Sequence, residues 1–406
     1  MRRIDPRRFR VATQGTSRDI NRRIVLNLVR AQQPISRADL ARAMGVHRGS
    51  VSVIVNELLE QKLIFEGATG EAVRGRKPTF LYLETRRRCV VAVDIRASQT
   101  FLMLTDPVGK PLGPVVGLPT VRQVKPFVAS LARRIRSLLA EQSDIDACEG
   151  IGVVVPGMVD HATMRVLHAP TLNWRNVELG RPLAAATRLP VHVENSGRAC
   201  ALAQLWALRE ETSSSGDLVF VSVSDGLGVG VIVHGEPLRG RNNIAGEFGH
   251  VPLALDGPRC ACGASGCWEA YVSNRATLAR YFGRTTEASG PVPLEHKGFT
   301  IDDLIARARG GDPKAAAAIQ ATARYLGLGL ASVINVLDPA RLYIGGEITA
   351  AWDLIEPTVR NAIAERALTG DAEATPLRPV SVSEYPRLQG AAALVAAPAF
   401  AAPVVA

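Results

Sequence analysis

One imidazole and three thiols stand close together in this chain: His250, then Cys260, Cys262 and Cys267. That is the ligand set of a closed, four-coordinate structural zinc site, and it predicts one structural Zn2+ per chain. Glycines at 263 and 266 let the loop turn tightly round a small ion. Two carboxylates, Glu247 and Glu269, bracket the cluster without being needed as ligands. A metal knot flanked by carboxylates predicts a site for something polar. The bland alternative is three unrelated thiols in a glycine-rich loop. Cys89, Cys148 and Cys200 are scattered through apolar stretches and read as small core residues. No secretory signal opens the sequence, so a disulfide framework is not expected.

The elements that position such a site must be substantial. The chain has 406 residues, 47% of them hydrophobic, enough for two or three domains with a large core. No apolar run is read as reaching the ~20 residues of a membrane span. The start, from Met1 to Arg8, is basic and has no apolar segment after it. A cytoplasmic location with no membrane partner is expected. Charge is spread unevenly. Residues 1–88 hold 19 Lys+Arg against 8 Asp+Glu, a net of +11, and the rest of the chain is close to neutral at −1. The excess predicts a polyanion-binding module joined to a neutral body, against the alternative of a merely solvated basic face.

The basic module reads helix, helix, turn, helix. Ile20, Ile24, Leu28 and Val29 recur at helical spacing from Asp19 onward, and Pro34 ends that helix. Ser36 is an N-cap candidate, with Asp39 at N3 as its capping-box partner. Leu40, Ala41 and Met44 give the second helix an apolar face, and Gly45 supplies the turn. A third helix is predicted over residues 47–60, with Val51, Ile54, Val55, Leu58 and Leu59 inward. His47, Arg48, Ser50 and Ser52 lie early in it, where a recognition helix meets base edges in the major groove. Arg48 is equally suited to a phosphate. Two short strands, Leu63–Phe65 and Thr79–Leu83, flank Arg74-Gly75-Arg76-Lys77-Pro78. That is a winged helix-turn-helix whose tip residues Arg74, Arg76 and Lys77 are placed for phosphates or a minor groove. The alternatives are a helix-turn-helix used for protein contacts and a solvated basic hairpin. The predicted division is a disordered basic arm over 1–15 and the winged helix over 16–87, with double-stranded DNA as partner.

From Cys89 the pattern becomes α/β. Val90–Asp94 and Thr100–Leu104 are strands joined by a short turn, and residues 126–141 are helical. Ile151–Val155 is a strand ending at Pro156-Gly157. A comparable strand, turn and strand recur over 217–233. Two half-similar lobes, each opening on a hairpin, predict a duplicated architecture with a ligand cleft between them. Helices are predicted over 197–210, 301–309, 314–335 and 351–366, with a strand at Arg341–Ile344. The alanine-rich stretch 391–402 reads as a closing helix and a loose tail.

Three segments together resemble the ROK family of repressors, uncharacterised reading frames and sugar kinases. They are Gly246-Glu247-Phe248-Gly249-His250, Cys-x-Cys-Gly-x-x-Gly-Cys-x-Glu from Cys260 to Glu269, and Pro156-Gly157-Met158-Val159-Asp160. The resemblance covers 88–398, leaving 399–406 as a tail, and the winged helix in front is similar to the repressor branch. It implies a two-lobe actin-like, ribonuclease-H-like ATPase-type fold, a structural zinc on His250, Cys260, Cys262 and Cys267, and a sugar site on Asn195, Glu247, His250 and Glu269. His250 would then serve twice, with one ring nitrogen on the metal and the other toward a sugar hydroxyl. Glu247 and Glu269 read alternatively as surface carboxylates.

Departures from the family pattern point away from catalysis. Its kinases carry Glu-Asn-Asp, whose Asp takes the sugar hydroxyl proton; here the text is Glu194-Asn195-Ser196, and a serine is no useful base at neutral pH. The family's first phosphate loop is Asp-x-Gly-Gly-Thr, and here it is Asp94-Ile95-Arg96-Ala97-Ser98, without glycine. Thr171-Leu172-Asn173-Trp174 replaces Asn-Leu-Gly-Trp, so Thr171 stands for a sugar-contacting Asn, for which Asn173 is a candidate substitute. The expectation is a catalytically inactive, sugar-controlled repressor, a homodimer or homotetramer on a two-fold operator. Its rivals are a DNA-binding sugar kinase and a regulator controlled by a protein partner.

Overall fold

A computed structural model describes residues 14–69, 78–208, 217–284 and 298–401. The expected arm up to residue 13 and the wing-tip residues Arg74, Arg76 and Lys77 lie outside them. The chain opens with α1 (Gln14–Gln32), β1 (Ile35–Ser36), α2 (Arg37–Met44), α3 (Arg48–Glu60), β2 (Ile64–Thr69) and β3 (Thr79–Leu83). Gln14 and Gly15 are therefore helical rather than part of a disordered arm. The Ser36–Asp39 capping box is formed, and Gly45 closes α2 in the left-handed conformation at φ 64°. β1, absent from the sequence reading, pairs with β3 to make a three-stranded sheet in the order β1-β3-β2. The inward face of α1 is rotated from the expected one. Val25, Leu26 and Val29 are buried, and Ile24 is 41% exposed. Val25 and Val29 join the core around α3, and Leu26 lines a cavity of about 60 Å³ with Phe400. A partner 374 residues away thus shares the burial of this helix.

The first lobe comprises β4 (Arg88–Ile95), β5 (Gln99–Thr105), β6 (Val116–Pro119), α4 (Val124–Ala140), β7 (Ala147–Val155), a small sheet β8 (Met158–Asp160), β9 (Arg165–Ala169) and β10 (Trp174–Glu178), then α5 (Gly180–Thr187) and β11 (Val191–Asn195). The connecting α6 (Ser196–Ala207) leads to the second lobe: β12 (Leu218–Val223), β13 (Leu227–Val233), β14 (Glu236–Pro237), α7 (Glu269–Val272), α8 (Asn274–Tyr281), α9 (Ile301–Arg309), α10 (Pro313–Leu337), β15 (Leu342–Gly345), α11 (Trp352–Ala364), α12 (Gly370–Glu373), β16 (Leu377–Pro379) and α13 (Pro386–Ala396). The two five-stranded sheets run β6-β5-β4-β7-β11 and β14-β13-β12-β15-β16. In each, an antiparallel meander of three strands is extended by two parallel ones. This is one topology used twice, the duplicated actin-like fold. Central strands such as β4 are buried along their length, which is why they read as continuous apolar runs.

Although α13 closes the chain, it packs on β4 and β7 of the first lobe and on α6. α6 in turn packs on β12 and β13 of the second lobe. The contacts are backbone to backbone: a Cβ at Gly390 would lie 2.1 Å from the Ala199 carbonyl, and one at Gly230 2.1 Å from the Gly197 carbonyl. The described start of the expected loose tail, up to Ala401, is instead folded back. A 3-10 turn over Ala397–Ala399 brings Phe400 edge-on to Trp206, with ring centroids 5.2 Å apart. Asn27 Nδ2 donates to the Phe400 carbonyl at 2.8 Å, and the Arg30 guanidinium lies 3.5 Å from the centre of the Trp206 ring. α10 is long and apolar enough to span a membrane by length and composition alone, contrary to the sequence reading. It is the core helix of the second lobe, with Leu326, Leu330 and Ile334 fully buried.

Trp268, 2% exposed, fixes the metal loop to that core. Its Nε1 donates to the Tyr325 carbonyl at 2.9 Å, and a Cβ on Gly329 would fall 1.9 Å from the indole. Gly329→Ala gains about 1 kcal/mol of helix propensity, but displacing a buried ring costs about 1–3 kcal/mol. Because the ring has nowhere to go, overpacking wins. The urea midpoint should fall, and the loop carrying Cys267, next to Trp268, should be displaced.

Candidate metal and ligand site

The loop from β14 to α7 carries the cysteine cluster. Glu247 precedes a 3-10 turn over Phe248–His250, which aims the His250 ring at Cys260. Cys260 Sγ lies 3.7 Å from His250 Nδ1, and Cys262 Sγ lies 3.6 Å from Cys267 Sγ. The four donor atoms of His250, Cys260, Cys262 and Cys267 all fall within 4.8 Å of one another. A tetrahedron with metal–sulfur bonds of about 2.3 Å has edges of about 3.8 Å, so the donor set fits a tetrahedral ion. Burial pushes the Cys260 thiol up, and a thiolate there calls for a cation beside it.

The other face of the same imidazole is turned away from the thiols. His250 Nε2 stands 3.9 Å from Glu247 Oε2. Burial raises the Glu247 carboxyl above the ordinary glutamate value, and the nearby Glu269 adds to it, against the pull of His250 and Arg198. Glu269 opens α7. One of its oxygens accepts the Leu227 N–H at 2.9 Å in the turn between β12 and β13, and the other lies 3.6 Å from Cys260 Sγ. Glu247, His250 and Glu269 are thus brought together, with Glu269 bridging metal loop and sheet. Asn195 caps α6: its Oδ1 accepts from Gly197 and Arg198 N–H at 2.8 and 3.2 Å, and its Nδ2 donates to the Gly157 carbonyl at 2.7 Å. One amide hydrogen is left for a ligand. Asn173 is exposed and left-handed at φ 55°. Its left-handed backbone is a conformation in which asparagine can stand in for glycine.

Sequence reasoning missed the buried ion cluster beside this site. Glu194 is fully buried at the end of β11. It accepts from Arg198 Nε and from Arg239 Nη2, both at 2.8 Å, with His161 Nδ1 3.8 Å away. Burial alone would raise the Glu194 carboxyl; the two guanidiniums overcome that and hold it below its ordinary value. Burial, then Arg239, lowers the His161 imidazole, against the pull of Glu194. Arg198 also donates to the Asn243 carbonyl at 3.2 Å, pinning the strand of loop that leads to Glu247. A signal was available: Glu194 and Arg198 stand four apart, and an arginine within Ser-Gly-Arg-Ala-Cys-Ala demands a buried partner.

At the first turn of the first lobe, Arg96 Nε donates to Asp94 Oδ2 at 2.7 Å. Arg387 of α13 lies 4.0 Å from the other Asp94 oxygen and donates to Ser224 Oγ across the cleft at 3.3 Å. Ser196 is the first residue of α6. At the other end of the chain, the His47 ring caps α3 by accepting from Gly49 N–H at 3.2 Å. Arg48 and Ser50 are exposed at the start of α3, and the half-buried Ser52 donates to the Arg48 carbonyl at 3.0 Å. On the same solvent face Val53 is 55% exposed, and Asn56 is held by Arg37 at 2.8 Å; neither was singled out from the sequence.

The sequence matches the model of the ROK family over residues 114–397 and that of the MarR family over residues 19–74. It is 25% identical over 395 residues to the xylose repressor of Bacillus subtilis (strain 168), covering 95% of this chain and 97% of that protein. It is 28% identical over 363 residues to the DNA-binding transcriptional dual regulator NagC of Escherichia coli (strain K12), 86% of each. By structure it is similar to a ROK family transcriptional regulator described as a homolog of the E. coli MLC protein, with a TM-score of 0.79, 29% identity, and 95% and 97% of the two chains covered. A ROK family glucokinase from Streptomyces griseus in complex with glucose and AMPPNP superposes on 75% of this chain and 98% of its own, with a TM-score of 0.63 and 26% identity.

Removing one member of the buried cluster leaves the rest uncompensated. Glu194→Gln should lower unfolding free energy by about 3–5 kcal/mol, read as a drop in the denaturant midpoint. Arg198→Met with Glu194→Gln should recover part of that loss, because the fully buried Arg198 charge is then no longer unpaired and only the partly exposed Arg239 lacks its carboxylate.

Proposed function

Because the chain belongs to the ROK family, with a MarR-type winged helix in front, we propose that it is a DNA-binding transcriptional repressor controlled by a sugar or sugar derivative. The observation that carries the reading is the orientation of His250, with Nδ1 toward the thiols and Nε2 toward Glu247. In this reading His250, Cys260, Cys262 and Cys267 hold one structural Zn2+. The ion, when bound, fixes the tautomer of the ring. His250 Nε2–H then donates to a sugar hydroxyl, and Glu247 and Glu269 accept from hydroxyls beside it. The spare amide hydrogen of Asn195 is the contact from the first lobe. A ligand held by both lobes would set how far they close on each other, as sugar binding requires of a cleft.

Transmission to DNA follows α6. Its N-terminus is capped by Asn195 at the ligand site, and its last turn carries Trp206, on which Arg30 of α1 stacks. Movement of α6 therefore moves the seat of the winged helix. α3 enters the major groove, with Arg48, Ser50, Ser52 and Val53 facing the bases and His47 setting the start of the helix. Arg74, Arg76 and Lys77 of the wing follow the backbone. A homodimer or homotetramer in the cytoplasm would present two such helices to a two-fold operator. Double-stranded DNA and the sugar are the partners, and no membrane is involved.

Catalysis is not part of this reading. Ser196 offers no base at the position of the family's catalytic Asp. The turn at Asp94 is filled by Arg96, whose guanidinium is drawn back onto Asp94 rather than leaving N–H groups open to a phosphate. The kinase alternative would require ATP-dependent release of ADP with hexoses, measurable in a coupled assay.

Zinc-loaded protein heated with a panel of sugars and sugar derivatives tests the effector site. A ligand at a hundred times its Kd raises apparent stability by about 2.7 kcal/mol. One selective hit is expected, abolished by Glu247→Ala and by metal removal, with metal analysis giving one zinc per chain. No hit, with operator binding intact, would favour control by a protein partner. Arg30→Ala tests the joint: operator affinity should change little, and the ligand should lose most of its effect on that affinity.

A further inference from the structure

Three of the six cysteines form the metal knot, and Cys200 stands alone, fully buried and pushed by burial up to about 12. The other two are neighbours. Cys89 on β4 and Cys148 on β7 are register partners on adjacent parallel strands. Side chains at paired positions point to the same face of a sheet, and strands lie about 4.8 Å apart, inside the Cα separations of about 4.4–6.8 Å that a disulfide accepts. The shared face is the one packed against α4: Val91 and Val93, two and four residues on from Cys89, belong to that core, and Cys148 packs against it. The register slips between Cys89 and Val91, so the ladder is already irregular where the two thiols meet.

We propose that Cys89 and Cys148 are a reversible dithiol modification site, closed to an intrachain disulfide by a hydroperoxide. The two thiols are unequal in access. Cys148 is partly exposed near the start of β7, and Cys89 is fully buried behind it. They also differ in acidity. The neighbouring Cys89 thiol lowers Cys148 below its ordinary value, and the same neighbour relation, with burial, raises Cys89; Cys148 Sγ itself donates to the Gly150 carbonyl at 3.6 Å. Cys148 is therefore the attacking sulfur and Cys89 the resolving one. The Cys148 thiolate attacks the outer oxygen of the peroxide; the O–O bond breaks, and the alcohol or water leaves with a proton. Cys148 is then a sulfenic acid. The Cys89 sulfur attacks the Cys148 sulfur, an S–S bond forms, the S–O bond breaks, and water leaves with the Cys89 proton. Two thiols give two electrons to one peroxide. A dithiol reductant reverses the step by exchange.

The position gives the bond a consequence. Arg88, beside Cys89, donates to the Gln61 and Lys62 carbonyls at the end of α3, at 3.3 and 3.5 Å, and pairs with Glu149, beside Cys148. A covalent staple at Cys89 and Cys148 thus sits at the root of the joint between winged helix and first lobe. The alternative is two thiols that only fill the core.

The test treats the full-length, metal-loaded protein with increasing hydrogen peroxide, then alkylates free thiols and maps peptides without reduction, while metal release is followed in parallel. The expected result is a linked peptide pair containing Cys89 and Cys148, with two thiols per chain lost before metal is released, and full recovery on adding dithiothreitol. Cys148→Ser should leave Cys89 alkylated in full at the same peroxide dose. Cys89→Ser should leave Cys148 as a sulfenic acid trapped by dimedone; should that buried variant not fold, the wild-type map decides alone. Full alkylation of both residues at doses that already strip the metal knot would overturn the proposal. So would loss of Cys89 thiol at an unchanged rate in Cys148→Ser.

Discussion

The approach of α6 to its neighbours is the constraint on which the rest of the molecule depends. On one side its backbone touches α13, and on the other β13, at points where glycine is required by contact between main chains. Close packing of this kind transmits displacement, because no compliant side chains lie between the elements. The helix belongs to neither lobe alone. Its first turn is tied to β11 and the Gly157 turn by Asn195, and to the loop before Glu247 by Arg198. Its last turn supports Trp206 under α1. Both ends of the molecule therefore refer to one rigid element.

A second economy lies in the imidazole of His250. A ring whose two nitrogens face different chemistry ties the thiol cluster to the Glu247 carboxylate through a single side chain. Glu269 repeats the device with its two carboxylate oxygens, one on the Leu227 amide and one toward Cys260. The Glu194 cluster serves a different purpose. A buried carboxylate with two guanidiniums, one buried and one half-buried, holds three separate segments in register: the end of β11, the first turn of α6 and the loop carrying Arg239.

Local spacing made much of this legible beforehand. The metal donors, the Ser36–Asp39 box, the Gly45 turn and the paired hairpins of the two lobes all depend on residues close in sequence, whose geometry follows from short-range sterics and hydrogen bonding. What escaped depends on distant partners. The face of α1 was misjudged because Phe400 shares its burial. The ending read as loose because alanine-rich text carries no sign of an aromatic anchor waiting on another domain. The left-handed backbone of Asn173, which gives its type a second reason, could not be seen in the sequence. Arg198 and Arg239 went unnoticed because a buried arginine is recognised only with its carboxylate, and Glu194 had been read only as part of the Glu194-Asn195-Ser196 segment set against the Glu-Asn-Asp of the kinases. The duplicated topology itself was readable, since each lobe announces its hairpin and returns to parallel strands after a helix.

The seat of Phe400 has an implication for how the protein is made. The winged helix is synthesised first and can fold as soon as its own hairpin is complete. The residues that clamp it to the body, Pro398 to Ala401, follow both lobes in the chain. A nascent or prematurely ended chain that stops after Ala396 keeps α13 and loses the clamp. Such a chain would carry a competent DNA-binding head with a weakened tie to the body that governs it.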